Sequence, residues 1–359
     1  MKKIISLFLT FVLLFALGTF AFAENSLEIS AKSAVVISAD TCEVIYSKNM
    51  NEQLPMASTT KIMSSIIALE YGAGDKMQKV TTDMIAVEGS SIGLLDGDEI
   101  SLKTLVKGML LESGNDASNA VAHIVGGSVP AFVKLMNDKA KEIGMYSTSF
   151  ETPSGLDGEN HYSTAFDMAV LGAYAIKNPE FKSICEDESD VVYYGNPPYR
   201  RVFTNHNKLL DLYEGAFGIK TGFTKKSGRC LVSAVCKDGK KLVAVTLNAP
   251  DDWNDHIKMY DYAFEKVNSY ELFDDFNDIK LKVVGGTKSY IDIEMLAVPV
   301  FTTTANNLDY VDKIYIEQFE YAPIYKGDIV GKIEFYHNNI KISEVPICAS
   351  ETVEMISKN

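Results

Sequence analysis

Ser33 to Ala39 and Cys42 to Ser47 are alternating, β-branched runs separated by Asp40 and Thr41, a period of two that predicts a β-hairpin. Behind Pro55 the rhythm changes. After Ala57, Ser58, Thr59, Thr60 and Lys61, the apolar residues Ile62, Met63, Ile66, Ile67 and Leu69 follow the 3.6-residue repeat of a helix, so a sheet leads into a helix whose first turn carries Ser58. Helical periodicity then recurs over 83–87, 102–111, 117–125 and 129–143, broken by the turn stretches Asp96-Gly97-Asp98 and Ser113-Gly114-Asn115. This stretch reads as a helical insertion packed against the sheet. A polar, glycine-containing loop covers 151–161, and Ser163 is placed to cap a helix over 164–176.

Past the irregular segment around Asn196-Pro197-Pro198, strand-like sequence returns over 215–221, 229–236 and 241–247, the last two joined by the turn Lys237-Asp238-Gly239-Lys240. A helix over about 255–267 ends this half. An acidic segment at 273–278 marks a boundary, beyond which short strands are predicted over 279–284, 290–294, 313–319, 329–336 and 341–346. The chain thus divides into a leader at 1–23, a large mixed unit at 24–273 and a small all-β unit at 274–359. A length of 359 residues accommodates two such cores.

The leader is read from Lys2 and Lys3, the apolar run Ile4 to Leu17 and the ending Ala21-Phe22-Ala23, the layout of a cleaved secretory signal. The protein is therefore expected outside the cytoplasm, in the bacterial cell envelope or secreted. Cleavage removes two lysines and no acid, taking the formal charge from -14 to -16. Such an acidic exported protein is a poor partner for nucleic acid or an anionic membrane surface. After Pro346 only 13 residues remain, too few and too polar for a membrane-anchoring helix, so attachment is expected to be weak or absent. Five cysteines are few and odd in number, and are expected to be free thiols rather than a disulfide framework. The five histidines are scattered without His-x-x-x-His or a Cys/His cluster, so no metal and no cofactor is implied.

Ser58 and Lys61 are three residues apart on a helix and share a face, so the amine can reach the hydroxyl. A lysine shielded from water and set near other cations loses its proton near neutral pH and can take the serine's. Taken alone, Ser-x-x-Lys is a weak pattern, and the pair reads more readily as a capping serine and a solvated lysine. Two later motifs change the picture: Ser113-Gly114-Asn115 on a turn between helices, and Lys220-Thr221-Gly222 on a strand. Each has a plain structural reading as a turn or a strand end, which does not explain the ordered triple. Ser-x-x-Lys, Ser-Asp-Asn and Lys-Thr-Gly are together the signature of class A β-lactamases and penicillin-binding proteins.

The wording around the motifs narrows this. Met56 to Met63, Glu112 to Ala117, Pro153-Ser154-Gly155-Leu156-Asp157, His161 to Thr164 and Gly218 to Thr224 closely resemble the serine-type D-alanyl-D-alanine carboxypeptidases, the low-molecular-weight penicillin-binding proteins of peptidase family S11. The resemblance extends into the β unit through Ala322-Pro323 and Lys326 to Lys332. It implies an α/β (α+β) penicillin-binding/β-lactamase-like transpeptidase fold: an antiparallel sheet with packed helices and a helical subdomain, plus a small C-terminal all-β domain. It also implies removal of the terminal D-alanine from peptidoglycan stem peptides. By similarity, Ser58 attacks and becomes acylated, Lys61 is its base, Ser113 relays a proton to the leaving amine, and Asn115 orients Lys61 and the substrate amide. Lys220 adds positive charge and Thr221 binds the substrate carboxylate. The backbone N–H groups of Ser58 and Phe223, beside Gly222, form the oxyanion hole. β-Lactams, which mimic D-Ala-D-Ala, are expected as covalent inhibitors.

The chain departs from the pattern in instructive places. Glycine stands in the middle motif where β-lactamases have aspartate, and 151–161 holds no Glu-x-x-x-Asn. Some family members carry an arginine shortly after the Lys-Thr-Gly hairpin to grip the carboxylate, whereas this chain has Asp251-Asp252-Trp253-Asn254-Asp255-His256 there. His256 or Arg229 are the available substitutes. The remaining histidines and Trp253 are expected in structural or surface roles. Rival readings on the same residues are a DD-endopeptidase, a β-lactamase, or a non-catalytic D-Ala-D-Ala or β-lactam binder.

Overall fold

The computed structural model describes residues 27–356, apart from Ala73, Asp275, Asn277 and Asp278. The leader at 1–23 lies outside the described residues. Strands β1 (Ser33–Ser38) and β2 (Val44–Lys48) form the expected hairpin, and a 3₁₀ turn (Ala57–Thr60) runs into helix α1 (Lys61–Glu70). The insertion contains α2 (Leu102–Leu110), α3 (Asn115–Gly126) and α4 (Val129–Glu142), and α5 (Ala165–Ala175) returns the chain to the sheet. Strands β3 (Ala216–Thr224), β4 (Gly228–Lys237) and β5 (Lys240–Leu247) complete that sheet before α6 (Asp252–Phe264).

The sheet is antiparallel throughout, in the order β2-β1-β5-β4-β3, which places β3 at an edge. Its period-two pattern is spent on two cores. Val35 and Ile37 join Val232, Val243 and Val245 in the cluster that contains α1 to α5, while Ala34 and Val36 join Leu242, Ala244, Met259 and Tyr260 beneath α6. A sheet covered on both faces is held rigidly, and its edge strand β3 meets the 3₁₀ turn of Ser58.

The fold is α+β with a C-terminal β domain. Residues from Leu272 to Val353 make a separate core, built on a six-stranded sheet whose inward side chains include Leu281, Ile291, Ile333, Phe335 and Ile347. It docks on the β1–β2 turn: Ser38 Oγ donates to the Thr302 carbonyl at 2.7 Å, and Asp40 Oδ2 accepts from Thr302 N at 3.0 Å.

Three local expectations need correction. The cap of α5 is Thr164, whose hydroxyl accepts from Asp167 N at 3.0 Å, because Ser163 is engaged by Thr148 Oγ1 at 2.8 Å and by backbone pairing with Leu54. Helix α6 begins at Asp252, whose Oδ1 accepts from Trp253 N, and its early acids suit the positive helix end. The segment around Asn196 is the turn of a regular hairpin, Ser189–Tyr194 with Tyr199–Thr204. All five cysteines are unpaired.

Candidate active site

Three motifs from three elements meet at one cleft of about 360 Å³, lined by Ser58, Ser113, Thr221, Gly222 and Phe223 among others. Ser58 is half-buried in its 3₁₀ turn. The turn is tightly held: Ala57 has φ +48°, and a β-carbon on Gly155 would lie 1.9 Å from the Ala57 carbonyl oxygen. On the other side a β-carbon on Gly222 would come within 3.0 Å of Ser58 N, so the backbone of β3 approaches the serine closely because position 222 lacks a side chain.

Lys61 is fully buried at the start of α1. Its Nζ lies 3.0 Å from Ser58 Oγ, 2.7 Å from Asn115 Oδ1 and 2.6 Å from the Ser154 carbonyl oxygen. Burial drives its pKa well below the ordinary lysine value, Lys220 pushes the same way, and Asp116 opposes them. A neutral amine has two N–H donors and one lone pair. Asn115 Oδ1 and the Ser154 carbonyl can only accept, so they take both donors and leave the lone pair facing the Ser58 hydroxyl. Asn115 is fixed in turn, its Nδ2 donating to the Glu88 carbonyl at 2.7 Å.

Ser113 sits at φ +61° on the turn before α3 and is nearly buried. The next acid, Asp116, is buried and accepts from Ser91 Oγ and from the backbone N–H groups of Ile92, Gly93 and Leu94, pinning the segment that brings Ser90 to the cleft wall. Lys220 is buried on β3, donates to the Thr221 carbonyl at 3.0 Å, and is pulled down to about 8 by burial. Thr221 and Phe223 lie beyond it, Phe223 largely exposed.

Of the two proposed carboxylate partners, His256 is excluded. It is wholly buried beneath the sheet between Ser233 Oγ at 2.7 Å and Thr246 Oγ1 at 3.0 Å, away from the cleft. Burial holds its pKa down at about 3, so it is neutral. Arg229, paired across the sheet with Phe223, does reach the cleft. Its Nε and Nη2 both donate to Asp252 Oδ1, at 2.9 and 2.7 Å, and its guanidinium lies 5.5 Å from the Trp253 ring centre. Trp253 therefore belongs to the cleft rather than to a remote surface. Sequence reasoning also missed Ser90, His206, Lys208 and Asp252 as lining residues. The Ser154 carbonyl carries no side-chain signal at all.

The loop 151–161 is strapped over these groups. His161 Nδ1 accepts from Glu151 N at 3.0 Å and its Nε2 contacts Thr60 Oγ1 at 2.9 Å, while Thr224 Oγ1 donates to Asp157 Oδ1 at 3.0 Å. Among the described residues there is no cluster of three or more His, Cys, Asp or Glu that could hold a metal ion, and no helix is long and apolar enough to cross a membrane.

A family profile for D-alanyl-D-alanine carboxypeptidase matches residues 20–251, and one for the C-terminal domain of penicillin-binding protein 5 matches 276–355. D-alanyl-D-alanine carboxypeptidase DacF of Bacillus subtilis is 34% identical over 371 residues, covering 99% of this chain and 95% of the relative. DacC of Escherichia coli is 32% identical over 368 residues, covering 96% and 90% respectively. The crystal structure of the carboxypeptidase DacD from Francisella tularensis superposes with a TM-score of 0.64 at 27% identity, over 92% of this chain and 95% of that one.

Proposed function

The chain belongs to the D-alanyl-D-alanine carboxypeptidase family, and from that premise we propose that it is an exported serine DD-carboxypeptidase acting through an acyl-enzyme on Ser58. The observation that carries this reading is the contact set of Lys61 Nζ, a buried amine with its pKa driven down by burial, held by Asn115 Oδ1 and the Ser154 carbonyl within 3.0 Å of the serine hydroxyl.

In the reaction Lys61 takes the Ser58 proton as Oγ attacks the carbonyl carbon between the two D-alanines. The oxyanion is received by the N–H groups of Ser58 and Phe223, and the close approach of β3 to Ser58 N supports that pairing. Ser113 passes the proton to the leaving amine, which departs as free D-alanine, and water then hydrolyses the ester. Because β3 is an edge strand, its outward N–H and C=O groups are free to pair with an extended peptide. Thr221 and Arg229 hold the terminal carboxylate. Asp252 occupies only Nε–H and one Nη2–H, which leaves the Nη1 end of the guanidinium to take the carboxylate. The unit that ends with α6 is the reacting domain, and the unit built on the Leu272–Val353 core is the accessory β domain. A β-lactam enters as a substrate mimic and is held at the acyl stage.

The test is release of D-alanine from diacetyl-lysyl-D-Ala-D-Ala together with intact-mass analysis after penicillin. Steady release with a slowly lost adduct on Ser58 is expected. No adduct on Ser58, or an adduct that survives Ser58→Ala, would refute the mechanism, and rapid turnover of penicillin would make the protein a β-lactamase.

A further inference from the structure

The orientation of the substrate decides which part of it meets the walls beyond the reacting motifs. With the terminal carboxylate at Thr221 and the scissile carbonyl at Phe223 N, the peptide upstream of the bond runs past Thr224, the end of β3. The leaving residue therefore faces the other way, toward the beginning of the strand. Lys208 stands on that side. The short helix Leu209–Leu212 that it precedes shares a core with Ala216, the first residue of β3, and Ala216 N donates to the Tyr213 carbonyl at 3.1 Å.

Lys208 lines the cleft together with Thr221, and it also lines a second groove of about 350 Å³ whose wall includes Glu188, Asn207 and Asp211. Its side chain is exposed, and no carboxylate lies within ion-pair distance of it among the described residues. Next to it Asn207 is buried, and its Nδ2 has no hydrogen-bond partner although its Oδ1 accepts from Leu209 N at 3.2 Å. Buried donors in folded proteins are otherwise nearly always satisfied. A cation and an amide donor, both without acceptors, thus line a groove that opens from the leaving side of the cleft. We infer that this groove is a subsite for the side chain of the leaving residue, so that the enzyme also releases D-amino acids larger than alanine from a D-alanyl bond and favours one whose side chain ends in a carboxylate. This rests on the carboxypeptidase reading above and adds to it the class of residue removed. The α-carboxylate stays at Thr221 and Arg229, while Lys208 and Asn207 Nδ2 supply donors for the side-chain carboxylate. Glu188 and Asp211 repel a further anion, which limits the subsite to one acidic group.

The experiment follows release of the last residue from diacetyl-lysyl-D-Ala-D-Glu and diacetyl-lysyl-D-Ala-D-Gln, with diacetyl-lysyl-D-Ala-D-Ala alongside, using the full-length protein. The first two differ only in the charge of the leaving side chain, and the ratio of their kcat/KM values cancels any general loss of activity in a variant. Both are expected to be cleaved, the D-Glu peptide faster. The ratio should fall roughly two- to fivefold in Lys208→Gln, the range of an exposed ion pair, fall further in Lys208→Glu, and shrink with added salt in the parent. Release of D-alanine with neither D-Glu nor D-Gln released, a parent ratio of one, or a ratio that neither variant moves overturns the subsite. Acylation of the parent by penicillin is scored separately. Its absence, with no D-alanine released, would sink the carboxypeptidase reading itself, whereas acylation with an unmoved ratio sinks the subsite alone.

Discussion

Replacing Arg229 with glutamine tests the least conventional part of the site. The guanidinium is held by Asp252 through two hydrogen bonds to one oxygen and by Trp253 at 5.5 Å, so its free Nη1 end is already oriented. A hydrogen-bonded contact between charged groups contributes about 1.5–3 kcal/mol when shielded. The side chain is 42% exposed, so water screens part of this and about 1–2 kcal/mol remains. That corresponds to a loss of roughly 5- to 30-fold in kcat/KM. Arg229→Gln also leaves the buried Asp252 without its cation, and burial already raises that carboxyl's pKa. Arg229→Gln paired with Asp252→Asn separates lost recognition from lost stability. The assay is D-alanine release from a peptide with a free C-terminal carboxylate and from its C-terminal amide. The parent should strongly prefer the acid, and both variants should lose most of that preference. A preference that persists while thermal stability is matched would remove Arg229 from carboxylate binding.

Lys61→Met fills the same buried volume without an amine, and kcat/KM should fall about 10²- to 10⁴-fold while far-UV circular dichroism stays native; acylation at the parent rate would exclude Lys61 as base. Gly155→Ala meets the Ala57 carbonyl at 1.9 Å and sits at φ +89°, so a loss of about 2 kcal/mol or more is expected in thermal or urea unfolding, and a neutral result would contradict the packing of the 3₁₀ turn. Lys220 is charged only below about 8, so kcat/KM should decline as pH rises through that value, and Lys220→Arg should shift the decline upward; a limb at the ordinary lysine value of 10.5 would refute the assignment.

The motifs that carry chemistry were legible because each depends on side-chain identity at short spacing: Ser58 with Lys61, Ser113 with Asn115, and Lys220 with Thr221. The hairpin of β1 and β2 was legible from its β-branched runs on either side of Asp40-Thr41, and the α1 helix from the 3.6-residue repeat of its apolar residues. The missed parts share a different cause. Ser154 acts through its carbonyl, which any residue possesses. Arg229 was one of two candidates that the sequence left open, because its place in the cleft follows from its register opposite Phe223, and register is set by the whole β3–β4 pairing rather than by local sequence. His256 was a plausible partner by position and proved to be a core residue, because its neighbours Ser233 and Thr246 satisfy both ring nitrogens. The hairpin at 189–204 was obscured by its Pro-Pro turn, which resembles loop composition.

The state of Lys61 depends on residues that never touch substrate, and His161 exposes that dependence. The loop 151–161 supplies the Ser154 carbonyl to Lys61 and seals it from water, and His161 ties this loop to Thr60, one residue before the lysine. Burial holds the His161 pKa down at about 4, so above that pH the ring is neutral and can accept from Glu151 N through Nδ1 while Nε2–H donates to Thr60. His161→Phe keeps the apolar volume and the edge contact to Phe150 but loses both hydrogen bonds, leaving the Glu151 N–H and the Thr60 hydroxyl unpaired. That costs about 1–3 kcal/mol for each buried group left unsatisfied. A loosened loop admits water to Lys61, weakens the desolvation that depresses its pKa, and moves the acid limb of kcat/KM to higher pH. A melting temperature that falls while the acid limb stays in place would show that His161 stabilises the loop without setting the protonation of the base. A limb that rises with it would tie the reactivity of Ser58 to the burial that this loop maintains.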